Sequence, residues 1–155
     1  MSYSEYLAKA KTAQLSTHFT LYDVANSLTA KNDNIENIPS PQVVQNAGLL
    51  IKNVLEPLIA RYKTKPDISS FYRCPELNQK VGGVPNSQHT TGKAVDITIV
   101  GVPLQDLFNY IKVNIPFDQL IIEGVNNFHW VHVSYSSTLN RKQVLSYNGE
   151  EYKTA

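Results

Sequence analysis

Apolar residues recur at helical spacing most clearly between Val43 and Ile59. Val43, Val44, Ala47, Leu50, Ile51, Val54, Leu55, Leu58 and Ile59 form one core-facing stripe. Ser40-Pro41 opens this helix: serine can cap a free backbone N–H, and proline at the first helical position has no N–H to lose. Pro57 lies inside the run and predicts a kink or one loosened turn, and the helix ends near Tyr62, before Lys65-Pro66. Pro103 starts a second helix with Leu104, Leu107, Phe108 and Ile111 on one face. Thr20 and Asp23 make a capping box for a short helix through Ser27, and Pro75 to Val81 is a further short helix ended by Gly82-Gly83. Residues 30–40 and 84–92 have loop composition.

Strand patterning dominates the second half of the chain. Ile68–Phe71, Ala94–Val100, Phe117–Glu123 and Phe128–Tyr135 are predicted strands, the last two joined as a hairpin through Gly124-Val125-Asn126-Asn127. Gln143–Tyr147 is predicted as one more edge strand. The expectation is an α+β protein, with a helical N-terminal half packed on a mainly antiparallel sheet. Residues 1–18 are polar and weakly patterned, so they are expected to form an arm or peripheral helix before a single domain over 19–155.

Composition narrows the function classes. The 155 residues carry a formal charge of +1 without a Lys/Arg run, which argues against nucleic acid as a partner. No run of about 18 apolar residues occurs, so no membrane span is expected. A basic segment followed by an apolar stretch is missing at the N-terminus, so the expectation is a chain that is cytoplasmic at synthesis. The single cysteine, Cys74, allows no internal disulfide and reads as a packing residue. Nine tyrosines point to polar-tipped aromatics near clefts.

Two of the four histidine contexts stand out. His89 lies in a loop leading into a strand that carries Asp96 among Val95, Ile97, Ile99 and Val100. A carboxylate in a buried strand needs a strong partner, and a metal is one. His132 lies in the hydrophobic strand Phe128–Ser134, where two-residue alternation turns Phe128, Trp130, His132 and Ser134 one way and His129 the other. Two histidines and an aspartate make a three-ligand zinc set that leaves a position for water; zinc would lower that water's pKa toward ~7 and polarise a carbonyl. The alternative is a core histidine and a capped aspartate.

The pattern Ser87-x-His89-x-x-Gly92-x-Ala94-x-Asp96, followed by Trp130-Val131-His132-Val133-Ser134, resembles the signature of the zinc D-Ala-D-Ala carboxypeptidase family, and most closely its small single-domain group from phage and bacteria. Phe19-Thr20-Leu21, Pro39-Ser40-Pro41, Leu55-Glu56-Pro57-Leu58, Phe71-Tyr72-Arg73, Leu77-Asn78, Val81-Gly82-Gly83 and Phe117-Asp118-Gln119-Leu120-Ile121 extend the likeness over about residues 19–135. The resemblance implies the α+β fold shared with the hedgehog signalling domain. It also implies Zn2+ on His89, Asp96 and His132, and Arg73 steadying the substrate's carbonyl oxygen or carboxylate. Ser87 would either bond substrate or shape its loop.

One position departs from that family. Several members carry an acidic general base three residues before the last ligand, where this chain has His129. Glu123 on the partner strand is the replacement expected here, with His129 behind it and Asp118 a weaker candidate that fits a structural strand-start role. A hairpin loop of Val125-Asn126-Asn127 would set Glu123 opposite His129, and both would then need a bulge to reach the metal. The implied function is zinc-dependent hydrolysis of peptide bonds adjacent to D-amino acids in peptidoglycan stem peptides, as a carboxypeptidase or endopeptidase. The implied setting is endolysin-like: virion-associated, or released to the cell wall with a holin. The alternatives are a non-catalytic virion or wall-binding module that keeps its zinc, and a zinc hydrolase of another amide.

Overall fold

A computed structural model describes all 155 residues. The N-terminal half holds α1 (Tyr3–Ala10), α2 (Leu21–Ala25), α3 (Leu28–Asn32), α4 (Pro41–Leu50) and α5 (Glu56–Tyr62). It is followed by β1 (Asp67–Ser70), α6 (Pro75–Lys80), β2 (Ala94–Thr98) and α7 (Leu104–Asn114). The chain closes with β3 (Gln119–Val125), β4 (Phe128–Ser134), β5 (Gln143–Tyr147) and β6 (Tyr152–Thr154). No helix is long and apolar enough to cross a membrane.

Local chemistry explains the helix ends. The Ser40 side chain accepts the Val43 N–H at 3.3 Å ahead of Pro41, and the Asp23 carboxylate accepts the Thr20 N–H at 2.8 Å. Pro57 has no N–H and crowds the preceding turn. The helix answers with a π turn over Ile51–Leu55, in which the Glu56 N–H reaches back to the Ile51 carbonyl. The stripe survives this adjustment: Ala47, Leu50, Ile51, Val54, Leu55 and Leu58 are fully buried.

The six strands lie in the order β1-β2-β4-β3-β5-β6. All pairs are antiparallel except β3 with β5. Register assigns the two faces. Val95 pairs with Val133 and Ile97 with Val131, and Leu120 pairs with Val133; these side chains enter the core with Leu107, Phe108 and Ile111 of α7 and the α4–α5 stripe. The alternate row pairs Asp96 with His132, His132 with Ile121, and Glu123 with Trp130, and it faces away from that core.

A smaller apolar cluster joins Tyr3 and Leu7 of α1 to Ala25, Ala30, Ile35 and Leu77. Buried Asn37 ties this region to the functional half. Its amide donates to the carbonyls of Ala25 and Tyr72 at 3.0 and 2.9 Å, and its oxygen accepts the Cys74 N–H at 2.7 Å. It thereby holds the extended segment on both sides of Arg73.

Three local expectations change. The first residues of the expected 30–40 loop belong to α3, and its Ile35 and Asn37 are buried, because the loop runs beneath α1 rather than over the surface. Gln143–Tyr147 is not the sheet edge: it pairs in parallel with β3, and β6 covers its far side. The β3–β4 turn is only Asn126-Asn127, with Val125 paired to Phe128 and Asn126 at φ 56°.

Replacing Asn37 with alanine removes the side-chain partner of the Tyr72 carbonyl and the Cys74 N–H, while the Ala25 carbonyl keeps the Tyr3 hydroxyl. Asn37→Ala is expected to lower stability by about 2–4 kcal/mol, measured by chemical denaturation. A loss under about 0.5 kcal/mol would show that other contacts hold the segment.

Candidate metal centre

His89 ends up inside the protein because its loop is tightly built. Ser87 caps a 3-10 turn over Gln88–Thr91, its hydroxyl accepting the His89 N–H at 3.3 Å and its carbonyl accepting the Thr90 hydroxyl at 2.6 Å. Gly92 then takes φ 74°, and a Cβ there would meet the Val43 carbonyl at 2.6 Å. The chain thus turns close against α4 and enters β2 two residues later.

His89, Asp96 and His132 converge. All three are buried, and one ligand atom from each lies within 4.8 Å of the others. His89 Nδ1 lies 2.7 Å from the Phe71 carbonyl, which can only accept, so that nitrogen carries the proton. Its Nε2 faces Asp96 Oδ1 at 3.2 Å, and His132 Nδ1 faces the same oxygen at 3.0 Å. Burial pushes the His89 pKa down despite Asp96, favouring a neutral imidazole with a lone pair on Nε2. Burial alone would raise the Asp96 pKa, but positive charge beside it, on the imidazoles or on a cation between them, outweighs burial and holds the carboxylate well below its usual range. Lone pairs on a neutral His89 and an ionised Asp96 would repel at this distance unless a positive centre lies between them. The donor set therefore fits a divalent cation, with His89 oriented from behind by the Phe71 carbonyl.

Glu123 shares this side of the sheet. The two-residue turn places it opposite Trp130, and its Oε1 lies 3.9 Å from His132 Nδ1. Burial and the Asp96 charge push its pKa up to about 7, against the pull of His132, Arg73 and Trp130. A cation on the neighbouring ligands would draw it down. The conditional three-residue loop is thus not the one formed, and Glu123 needs no bulge. His129 does not join the group. It lies opposite Gly124, where a Cβ would come 2.5 Å from its Nδ1, on the face turned away from Asp96 and His132.

Arg73 lines the same cleft, of about 1040 Å³, with its Nη1 donating to Asn78 Oδ1 at 3.2 Å and its Nε buried without a partner. Gly83 makes room for this pair, since a Cβ there would collide with Asn78 Oδ1 and lie 2.8 Å from Arg73 Nη1. Asp118 stands apart. Arg141 grips it through Nε and Nη2, both at 2.9 Å, and Gln88 donates to it at 2.8 Å, so it fastens the His89 turn to the start of β3. Asn78, Trp130 and Arg141 carry no local sign of a site role in the sequence: the first two lie among family phrases without a chemical signature, and Arg141 lies in a loop with no pattern.

A buried His-Asp-His group at the floor of an open cleft, with a carboxylate and a guanidinium beside it, has the make-up of a hydrolytic metal centre. The sequence matches the Peptidase M15 family over residues 17–134, which include all of these side chains except Arg141, and the chain belongs to that family. It is a metallopeptidase by family, and peptidases of this family are zinc-dependent. No curated protein matches the chain.

Arg141, through its hydrogen bonds, holds the Asp118 pKa down at about 2, from an ordinary 3.8. A depressed carboxylate contributes stability above its unfolded pKa and loses it as pH falls through the folded one. Arg141 is half exposed, so the contribution at neutral pH is discounted to about 1–2 kcal/mol. Asp118→Asn is expected to lose that much at pH 7, and its gap from wild type should halve between roughly pH 5 and pH 3. Denaturation curves across that range check it, and a gap that stays constant to pH 3 contradicts it.

Proposed function

We propose that this protein hydrolyses peptide bonds adjacent to D-amino acids in peptidoglycan stem peptides, on the α+β scaffold of the hedgehog/D,D-peptidase type. The carrying observation is the Glu123 carboxylate, 3.9 Å from His132 Nδ1 on the same side of the sheet as the convergent His89, Asp96 and His132. Zinc on those three side chains would supply Lewis acidity toward the scissile carbonyl and increase the acidity of water. Glu123 takes the proton of the attacking water and returns it to the leaving amine. Arg73, which lines the cleft beside these ligands, binds the carbonyl oxygen as it gains charge, or the substrate carboxylate. Ser87 shapes the His89 turn by accepting the His89 N–H, and its own O–H is left to donate to substrate.

A non-catalytic module that keeps its zinc is the second reading, favoured by His129 standing where several family members have an acid. Digestion of defined muropeptides by zinc-replete protein, with products identified by mass, separates the two. Cleavage next to a D-residue is expected, and none at any bond would leave the second reading.

The zinc assignment predicts about one zinc per chain, lost in His132→Ala. Metal analysis of purified proteins checks this, and full zinc content in the variant would sink it. Glu123→Gln at matched zinc occupancy is expected to lower kcat by about 10²–10⁴-fold, while His129→Ala stays near wild type. Turnover on one muropeptide decides it: loss only in His129→Ala would reverse the roles.

A further inference from the structure

The matched family region ends at residue 134, so β5 and β6 lie beyond it. These two strands extend the sheet on the Glu123 side of the metal centre. In the register, Tyr152 pairs with Tyr147, Tyr147 with Glu123, and Glu123 with Trp130. Neighbours in register share a face, so the four residues form one row across β6, β5, β3 and β4, and all four line the cleft. The Tyr147 and Tyr152 rings stack with centroids 4.4 Å apart and an interplanar angle of 27°. Tyr152, at the outer end, is 54% exposed.

The turn between the strands holds this pair in place. Asn148 Oδ1 accepts the N–H groups of Glu150 and Glu151, both at 2.9 Å, and Gly149 at φ 94° packs against Gly124 and Val125. That end of the sheet therefore offers the paired rings to the cleft, with the Glu123 carboxylate next in the row. The basic side chain of this hairpin, Lys153, pairs with Glu151 at 3.5 Å and belongs to the opposite face with Ser146. The row itself carries no cation. Aromatic faces beside a carboxylate suit a neutral ring with C–H groups on its faces and hydroxyl and amide groups on its edge.

We infer that the stacked Tyr147 and Tyr152 form a subsite for an N-acetylated pyranose of the glycan strand, beside the peptide-cleaving centre. This rests on the peptidoglycan reading above. Glu123 occupies the row between Tyr147 and Trp130, so a ring stacked on the tyrosine pair would lie beside its carboxylate. The enzyme would then favour stem peptides still attached to glycan over the same peptides in free form.

Trp130 is the sole tryptophan, so its emission reports on this cleft. The probe is the soluble β-1,4-linked tetramer of N-acetylglucosamine, titrated into zinc-loaded and metal-free protein. Wild type is expected to give a saturable change. Tyr147→Ala should weaken it at least about tenfold, and Tyr147→Phe, which keeps the ring, by less than about threefold. In parallel, the ratio of kcat/KM for a disaccharide-linked stem peptide to that for the free peptide should exceed one, and Tyr147→Ala should bring it toward one. No emission change with wild type, or equal ratios in wild type and Tyr147→Ala, overturns the subsite. Cleavage of neither peptide overturns the peptidase reading instead, and the titration then decides the subsite by itself.

Discussion

The site depends on a single carboxylate oxygen placed where water is scarce. Asp96 Oδ1 faces imidazole nitrogens of His89 and His132 at 3.2 and 3.0 Å, and all three side chains are buried. A charge removed from water is costly unless it is paired, and here the pairing comes from two different chain segments. The β2–β4 register sets Asp96 directly across from His132, while the turn capped by Ser87 delivers His89. The neighbouring β2 residues Val95 and Ile97 point into the core, so β2 cannot slip by one residue without burying Asp96 among aliphatic side chains. Core packing and metal geometry thus enforce the same register.

Around that centre, rigid segments set the remaining groups. Asn37 clamps the chain on both sides of Arg73, Asn78 holds the guanidinium, and Asp118 with Arg141 fastens the His89 turn to β3. Each clamp is a buried or half-buried polar group with its hydrogen bonds met, an arrangement that fixes position more than it adds net stability. The cleft lies on the sheet face left uncovered by α7 and the α4–α5 stripe. One sheet thereby separates a dry core from a polar, charged face, and the alternation along β2, β3 and β4 serves both.

The principal elements were legible in the sequence because their signals are local. The α4–α5 stripe, the Ser40-Pro41 start, the disturbance at Pro57 and the β2 and β4 runs each follow from spacing within a dozen residues. His89, Asp96 and His132 were legible as a candidate set from residue type and strand context, and the wider motif carried the family resemblance that the match over residues 17–134 shows.

Other features rest on pairings between distant segments, which local periodicity does not encode. Whether Glu123 faces the metal centre turned on one residue of loop length: Asn126 adopts φ 56°, the turn closes with two residues, and Glu123 falls opposite Trp130 instead of His129. Nothing local announces that β5 joins β3 in parallel, that β6 covers its edge, or that Arg141 reaches Asp118. The sequence by itself determined the elements, the apolar faces and the types of group available for chemistry, because these depend on near neighbours and a fixed backbone period. The tertiary structure alone decided which of those groups share a cleft, since that depends on strand register and on where the chain returns.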